Sequence, residues 1–200
     1  MDAKVRESVI MAGFGGQGIL FMGQLLCYAG MHQGLRVTWM PSYGPEMRGG
    51  TANCTVMLSS ERIGSPVTSR PSSLVVMNKA SLDKYEDAVQ SGGFLVINSS
   101  LVQRDANRSD LRILKIPATQ IAEKTGTLQV ANMAALGGYV AGRKFISLDS
   151  LLVALQRLIP AHHQDLLALN EKALRTGFDE ATRRFKSLEG CFLESEGEYK

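Results

Sequence analysis

Val9-Ile10-Met11-Ala12 runs without a break into Gly13-Phe14-Gly15-Gly16-Gln17-Gly18. An apolar run of strand character enters a glycine-rich turn. From there Ile19, Met22, Leu26 and Ala29 recur at helical spacing. This is the layout of a strand–turn–helix phosphate cradle. The first N–H groups of a helix have no internal partner, and the aligned peptide dipoles add partial positive charge there. Glycines allow the tight turn and, lacking a Cβ, let a phosphate approach the backbone. Gly13, Gly15, Gly16, Gln17 and Gly18 are therefore candidate ligand contacts. The same glycines also suit a tight strand-to-helix turn that binds nothing.

Working outward, the helix is predicted over Ile19 to Gln33, stopped by Gly34, and a second strand over Arg36 to Met40, ending at Pro41-Ser42. A dinucleotide fold places an Asp or Glu about 20 residues beyond its glycines to hold the ribose hydroxyls. Here no acidic residue occurs between Glu7 and Glu46. The NAD reading fails that test. An NADP reading stays open, with Ser42 and Arg48 available to a 2′-phosphate.

Beyond a turn-rich loop, Thr51 to Leu58 alternates, with Ala52, Cys54, Val56 and Leu58 on one face. A hairpin turn at residues 59–62 is expected to lead into an edge strand, Ile63 to Val67, since Pro66 cannot donate to a ladder. Residues 73–77 and 94–97 are fully apolar runs of the kind buried on both faces, and a further strand is expected at 111–115. Helices are expected at Ser81 to Val89 (capped by Ser81), 118–125, 130–142, Leu148 to Leu158 and His162 to Leu188. Leu174, Phe178, Ala181, Phe185 and Leu188 form one apolar stripe on the last of these. The predicted fold is a single α/β, Rossmann-like domain over residues 1–190. It has a largely parallel sheet flanked by helices, an antiparallel hairpin addition and a helical C-terminal segment. Residues 191–200 are expected to be an acidic tail that frays.

Composition excludes several classes. A net charge of +3 with scattered basic residues and few aromatics argues against nucleic acid. Cys27, Cys54 and Cys191 lie far apart with no C-x-x-C, which argues against zinc, an iron–sulfur cluster or a disulfide framework. Reduced thiols in a cytoplasmic protein are expected. No stretch of about 18 or more apolar residues spans a membrane, and the charged N-terminus is not of signal-peptide type.

A second site candidate is the segment Ser42 to Thr51. It sits beyond the end of the second strand, at the sheet edge where open α/β sheets bind ligands. Glu46 and Arg48 are its charges, and Arg48 suits two-pronged contact with a phosphate or carboxylate. A structural or subunit-contact loop is the competing reading. Asn132 opens a small-residue helix whose Gly137-Gly138 pair costs roughly 1 kcal/mol per glycine relative to Ala. Close approach of another backbone, within the domain or from a neighbouring subunit, would explain it. Gly138 and Gly142 form a G-x-x-x-G read as close helix packing in a core. His162-His163 point about 100° apart on a helix and are read as surface residues, and His32 as a partner of its helix's C-terminal dipole.

Two segments together are specific. Gly13-Phe14-Gly15-Gly16-Gln17-Gly18-Ile19 and Pro41-Ser42-Tyr43-Gly44-Pro45-Glu46-Met47-Arg48-Gly49-Gly50-Thr51 resemble the gamma subunit of 2-oxoacid:ferredoxin oxidoreductases. Met77-Asn78 with Ser81-Leu82-Asp83-Lys84, Asn98-Ser99-Ser100, and Asn132-Met133 with Leu136-Gly137 fit the same family. The resemblance runs from about residue 8 to about residue 180. It is nearest to the 2-oxoglutarate and branched-chain 2-oxoacid branches and unlike the indolepyruvate branch.

The resemblance implies one subunit of a heteromeric enzyme that oxidatively decarboxylates a 2-oxoacid on thiamine diphosphate. Electrons pass through iron–sulfur clusters to ferredoxin, and an acyl-CoA is released. This sequence has no Gly-Asp-Gly motif for thiamine diphosphate and magnesium, and no cysteine clusters. Those cofactors are therefore expected on alpha, beta and ferredoxin-like delta partners, with no catalytic residue and no metal ligand here. Gly13, Gly15, Gly16, Gln17, Gly18, Ser42, Glu46, Arg48, Gly49 and Gly50 become the expected contacts on the CoA side. A free-standing NADP-dependent oxidoreductase and a purely structural subunit remain the alternatives.

Overall fold

The computed structural model describes residues 4–42, 50–159 and 164–195. The fold is built on a six-stranded sheet in the order β2-β3-β1-β4-β5-β6. The strands are β1 (Arg6–Phe14), β2 (Arg36–Ser42), β3 (Thr51–Ser59), β4 (Ser73–Val76), β5 (Phe94–Asn98) and β6 (Arg112–Ile116). β1, β4, β5 and β6 run parallel, as expected. All of β4 and β5 is buried, which is why they read as unbroken apolar runs.

The antiparallel part differs from expectation. β3 pairs antiparallel with β1 on one side, Arg6 opposite Ser59 through Phe14 opposite Thr51, and with β2 on the other, Arg36 opposite Ser59 through Ser42 opposite Asn53. Both its edges are occupied. Ile63 to Val67 therefore has no ladder to join, and it runs as irregular chain instead of a strand. The hairpin addition is β2–β3. β3 also separates β2 from β1, so β2 is not the neighbouring second strand of a dinucleotide fold. Two antiparallel steps nonetheless leave β2 running in the same direction as β1, with Ser42 and Phe14 at one end of the sheet.

α1 (Ile19–His32) buries Ile19, Met22, Leu25, Leu26 and Ala29. Gln33 is its C-cap, and Gly34 follows with φ +76°. His32 ends α1 in its last turn, as expected, and its Nδ1 also lies 3.3 Å from Ser150 Oγ at the start of another helix. α2 (Lys79–Tyr85) is capped by Asn78 and not by Ser81: the Asn78 Oδ1 accepts the Ser81 N–H at 2.8 Å. Asn is as good a cap as Ser, and the helix starts earlier than the apolar spacing suggested. α3 (Ala118–Thr125), α4 (Ala131–Arg143), α5 (Leu148–Leu158) and α6 (Gln164–Ser195) follow. α6 continues past residue 190, where the acidic tail was expected to begin. His162 and His163 lie outside the described residues.

Helices cover both faces. Val9, Met11, Val75, Val96 and Leu114 face α1 and the helices from α3 onward. Ile10, Ala12, Leu74, Val76, Leu95 and Ile97 face the smaller cluster built on Leu82 of α2. The glycine pair in α4 is explained inside the chain. A Cβ on Gly137 would overlap the Leu174 carbonyl oxygen, and one on Gly177 the Ala134 carbonyl oxygen, so α4 and α6 touch backbone to backbone. Gly138 and Gly142 pack α4 closely into the core, as expected, chiefly against the sheet: added Cβ atoms would meet Ile116 and the Phe94 ring, and at Gly142 also Phe185 of α6. Leu174 and Ala181 of the expected stripe are buried, with Phe178 and Phe185 packed beside them; the Leu188 side chain lies outside the described set.

At the opposite end of the sheet from the glycine turn, the Glu7 carboxylate is 2% exposed. It accepts hydrogen bonds from Ser73 Oγ and, at 2.9 Å, from Tyr139 O–H, and it pairs with the Arg143 guanidinium. This tie between β1, β4 and α4 had no sequence signal, because its members are scattered along the chain. Burial, and then the Glu7 carboxylate, push the Tyr139 phenol well above its ordinary range.

Candidate functional site

β1 delivers its chain directly into the glycine turn. Gly16 and Gly18 adopt φ of +89° and +69°, a region that side chains resist. The turn is closed from within: Gln17 Oε1 accepts the Phe14 N–H at 2.7 Å, and the Gln17 N–H reaches the Phe14 carbonyl at 3.2 Å. Gln17, expected at the ligand, thus shapes the turn. Gly18 is the N-cap of α1 and brings no side-chain cap. Asn132 at the start of α4 supports it, with Nδ2 donating to the Gly18 carbonyl at 3.0 Å.

The two predicted segments meet. The Gly15 N–H donates to the Gly50 carbonyl at 2.9 Å. Gly13, Gly15, Gly16, Gln17, Gly18 and Gly50 therefore gather at one edge of the sheet, with Gly13 itself buried beneath the turn. Ser42 is at the same edge but one strand further out, since Asn53 of β3 pairs with both Ser42 and Ala12. Glu46, Arg48 and Gly49 lie outside the described residues.

The geometry adds what sequence reasoning missed. α1 packs on one face of the sheet and α2 on the other, so the chain switches direction between the adjacent parallel strands β1 and β4. In open α/β sheets a crevice opens at such a point, beyond the C-terminal ends of the strands. Here it has a volume of about 400 Å³ and is lined by Phe14, Asn78, Lys79, Ala80, Asp83 and Leu101. Lys79 lies 3.5 Å from Asp83, which also pairs with Arg104 at 2.6 Å. The Arg104 hydrogen bond, and then Lys79, hold the Asp83 carboxyl below its usual range. These residues come from three separate turns; an Asn-Lys pair directly after an apolar strand was the available signal.

A further asparagine at this edge is structural. Asn98 is buried and bonds Thr119 Oγ1 through Nδ2 at 3.0 Å, while its Oδ1 accepts from the Ser100 and Thr119 N–H groups. Among the described residues no group of three or more His, Cys, Asp or Glu is placed to hold a metal. Cys27 and Cys54 are free and buried, and burial pushes both thiols up to about 12, which keeps them protonated. The arrangement offers backbone donors, a small crevice and the Lys79 ammonium paired with Asp83. It suits holding a phosphorylated ligand, and the one carboxylate in the crevice lining, Asp83, is tied up by Lys79 and Arg104.

Residues 8–180 match the family model described as pyruvate ferredoxin/flavodoxin oxidoreductase. The chain belongs to this family. It is similar to the ketoisovalerate oxidoreductase subunit VorA of Methanothermobacter marburgensis, with 38% identity over 96% of this chain and 39% of the relative. It therefore spans about two fifths of that relative's length. It is also similar to the 2-oxoglutarate synthase subunit KorC of Methanocaldococcus jannaschii, with 33% identity over 84% of this chain and 92% of KorC. Among solved structures, the keto/oxoacid ferredoxin oxidoreductase gamma subunit from Geobacter sulfurreducens superposes with a TM-score of 0.76 at 27% identity, covering 88% of this chain and 98% of that one. The 2-oxoglutarate:ferredoxin oxidoreductase from Magnetococcus marinus shares the fold, with a TM-score of 0.82 at 24% identity over 90% of this chain and 32% of that one. Among the described residues, no helix is long and apolar enough to cross a membrane.

Proposed function

We propose that this chain is the gamma subunit of a cytoplasmic, heteromeric 2-oxoacid:ferredoxin oxidoreductase, and that its glycine turn and the Ser42 to Thr51 segment shape the CoA side of the active site. The observation that carries the proposal is the Gly15–Gly50 hydrogen bond, which joins the glycine turn to the Gly50 end of the second segment, beside the switch-point crevice. CoA carries a pyrophosphate and a 3′-phosphate; the turn offers backbone N–H groups, and Arg48 is the cation in the sequence of the Ser42 to Thr51 segment. The sequence has no thiamine diphosphate motif and no cysteine cluster. Alpha, beta and ferredoxin-like delta subunits supply thiamine diphosphate, magnesium and the iron–sulfur clusters, and ferredoxin accepts the electrons.

Within the assembled complex, Arg48→Ala is expected to raise the KM for CoA while the subunits still co-purify. An unchanged CoA KM in an intact complex would make the segment scaffold. Recovery of the native chain alone, stabilised against heat by NADP, would replace the proposal with an ordinary nucleotide-dependent oxidoreductase.

A further inference from the structure

At the Arg6 end of β1, opposite the glycine turn, the chain that leaves β3 folds back along β1 and β3 and bounds a cavity of about 360 Å³. Arg6 and Ser59 line it from the sheet, and Arg62 and Thr68 from the returning chain. Met57, Ile63 and Val67 add apolar wall. Arg6 and Ser59 are directly opposite one another, so their side chains share one face of the sheet. It is the face away from α1, because the alternate residues Val9 and Met11 face α1.

The charge in this lining does not balance. Arg6 and Arg62 are both exposed, and neither forms an ion pair among the described residues. The acid beside each is engaged elsewhere: Glu7 is buried against Arg143, and Glu61 pairs with Lys4 at 2.7 Å. Arg36 continues the positive row, since it stands opposite Ser59 from β2. A cleft walled by one sign of charge concentrates ions of the other sign. Ser59 adds a donor. It is 7% exposed, its Oγ accepts the Glu61 N–H at 2.9 Å, and its own O–H has no acceptor among the described residues.

We propose that this cavity binds a small molecule carrying a phosphate group. Two guanidiniums match the charge of a phosphate ester, about −1.5 to −2 at pH 7, and each can grip its oxygens in two-pronged fashion. The apolar walls face the organic body, and the cavity falls in the range of small-molecule sites, about 300–1,000 Å³. The inference does not depend on the CoA reading, because the cavity and the glycine turn lie at opposite ends of β1. Free inorganic phosphate offers the same oxygens, and the test separates the two sources.

The test titrates the purified complex with phenyl phosphate and, separately, with inorganic phosphate, read by calorimetry. Arg6→Gln and Arg62→Gln are each expected to weaken phenyl phosphate binding about ten-fold, the scale of one lost hydrogen bond to a charged group. Arg62→Gln carries the test if Arg6→Gln fails to fold. Phenyl phosphate binding more tightly than inorganic phosphate, with both variants weakened, supports an organic phosphate. Equal binding of the two probes, again weakened in both variants, keeps the anion site and makes free phosphate its ligand. Binding unchanged in folded Arg62→Gln places the anion elsewhere and overturns the inference. Absence of binding to the parent complex overturns it too; if the same variants then release a partner subunit, the arginines hold an acidic side chain of that partner instead.

Discussion

The Gly15 N–H and the Gly50 carbonyl lie 2.9 Å apart, joining the turn after β1 to the entry of β3. β3 runs antiparallel to β1, so its start and the end of β1 meet at the same edge, Phe14 opposite Thr51. A ligand lying on one segment lies beside the other. The shape of the turn then depends on Gly18, whose φ of +69° and contact with Asn132 leave no room for a side chain.

Gly18→Ala is therefore expected to destabilise the chain. The left-handed conformation alone costs an L-residue about 1–2 kcal/mol, and a Cβ would displace the Asn132 amide from the Gly18 carbonyl. Urea unfolding checks this. A midpoint equal to that of the parent chain would show that the turn tolerates a side chain.

Asn78 and Ser81 give opposite expectations. Asn78→Ala removes the cap of α2 and should cost about 1 kcal/mol. Ser81 Oγ is buried with no partner among the described residues, so Ser81→Ala should be neutral or slightly stabilising. Thermal melts of the two variants decide which residue caps the helix.

The α4–α6 contact allows little change. Gly177→Ala would press a methyl group into the Ala134 carbonyl of a facing backbone, where no side chain can rotate away. Overpacking of this kind costs about 1–3 kcal/mol, and denaturant titration should show at least that loss. Gly34→Ala, in open space but at φ +76°, is the comparison: it should cost only the backbone strain of about 1–2 kcal/mol.

Tyr139 should make stability fall at high pH. Its folded-state pKa lies above the ordinary value of 10.0, so above that pH the unfolded chain has released a proton that the native chain keeps. The contribution is fully present below pH 10 and is lost as pH rises toward the folded-state value. Unfolding free energy measured from pH 8 to 11 should drop more steeply above pH 10 for the parent chain than for Tyr139→Phe. Parallel curves would mean that the phenol does not report the Glu7 network. At pH 7 the same variant should lose about 1.5–3 kcal/mol, the worth of a hydrogen bond to a charged group.

Much of the parallel half was legible because its signals are local. β4 and β5 announce themselves as buried apolar runs, α1 begins where the glycines end, and the spacing of Leu174 and Ala181 marks the buried side of α6. The order of strands was not local. Alternation along Thr51 to Leu58 shows which residues share a face, but not that Arg36 to Ser42 and not Ile63 to Val67 would be the partner, a choice settled by both edges of β3 being taken. Likewise the glycine turn was visible, but the crevice beside it was not: Phe14, Asn78 and Leu101 become neighbours only once α1 and α2 take opposite faces of the sheet.

The backbone contact between Gly177 and Ala134 also bears on the order in which the protein can be made. Every residue of α4 from Asn132 to Gly142 is buried, and much of its cover is α6, which leaves the ribosome later. Until Leu174 and Gly177 emerge, the nascent chain carries a helix apolar on all sides with one flank bare. Synthesis of the last helix is thus the step that closes the fold, and a chain stopped short of it would meet chaperones or its own copies before it met a native surface.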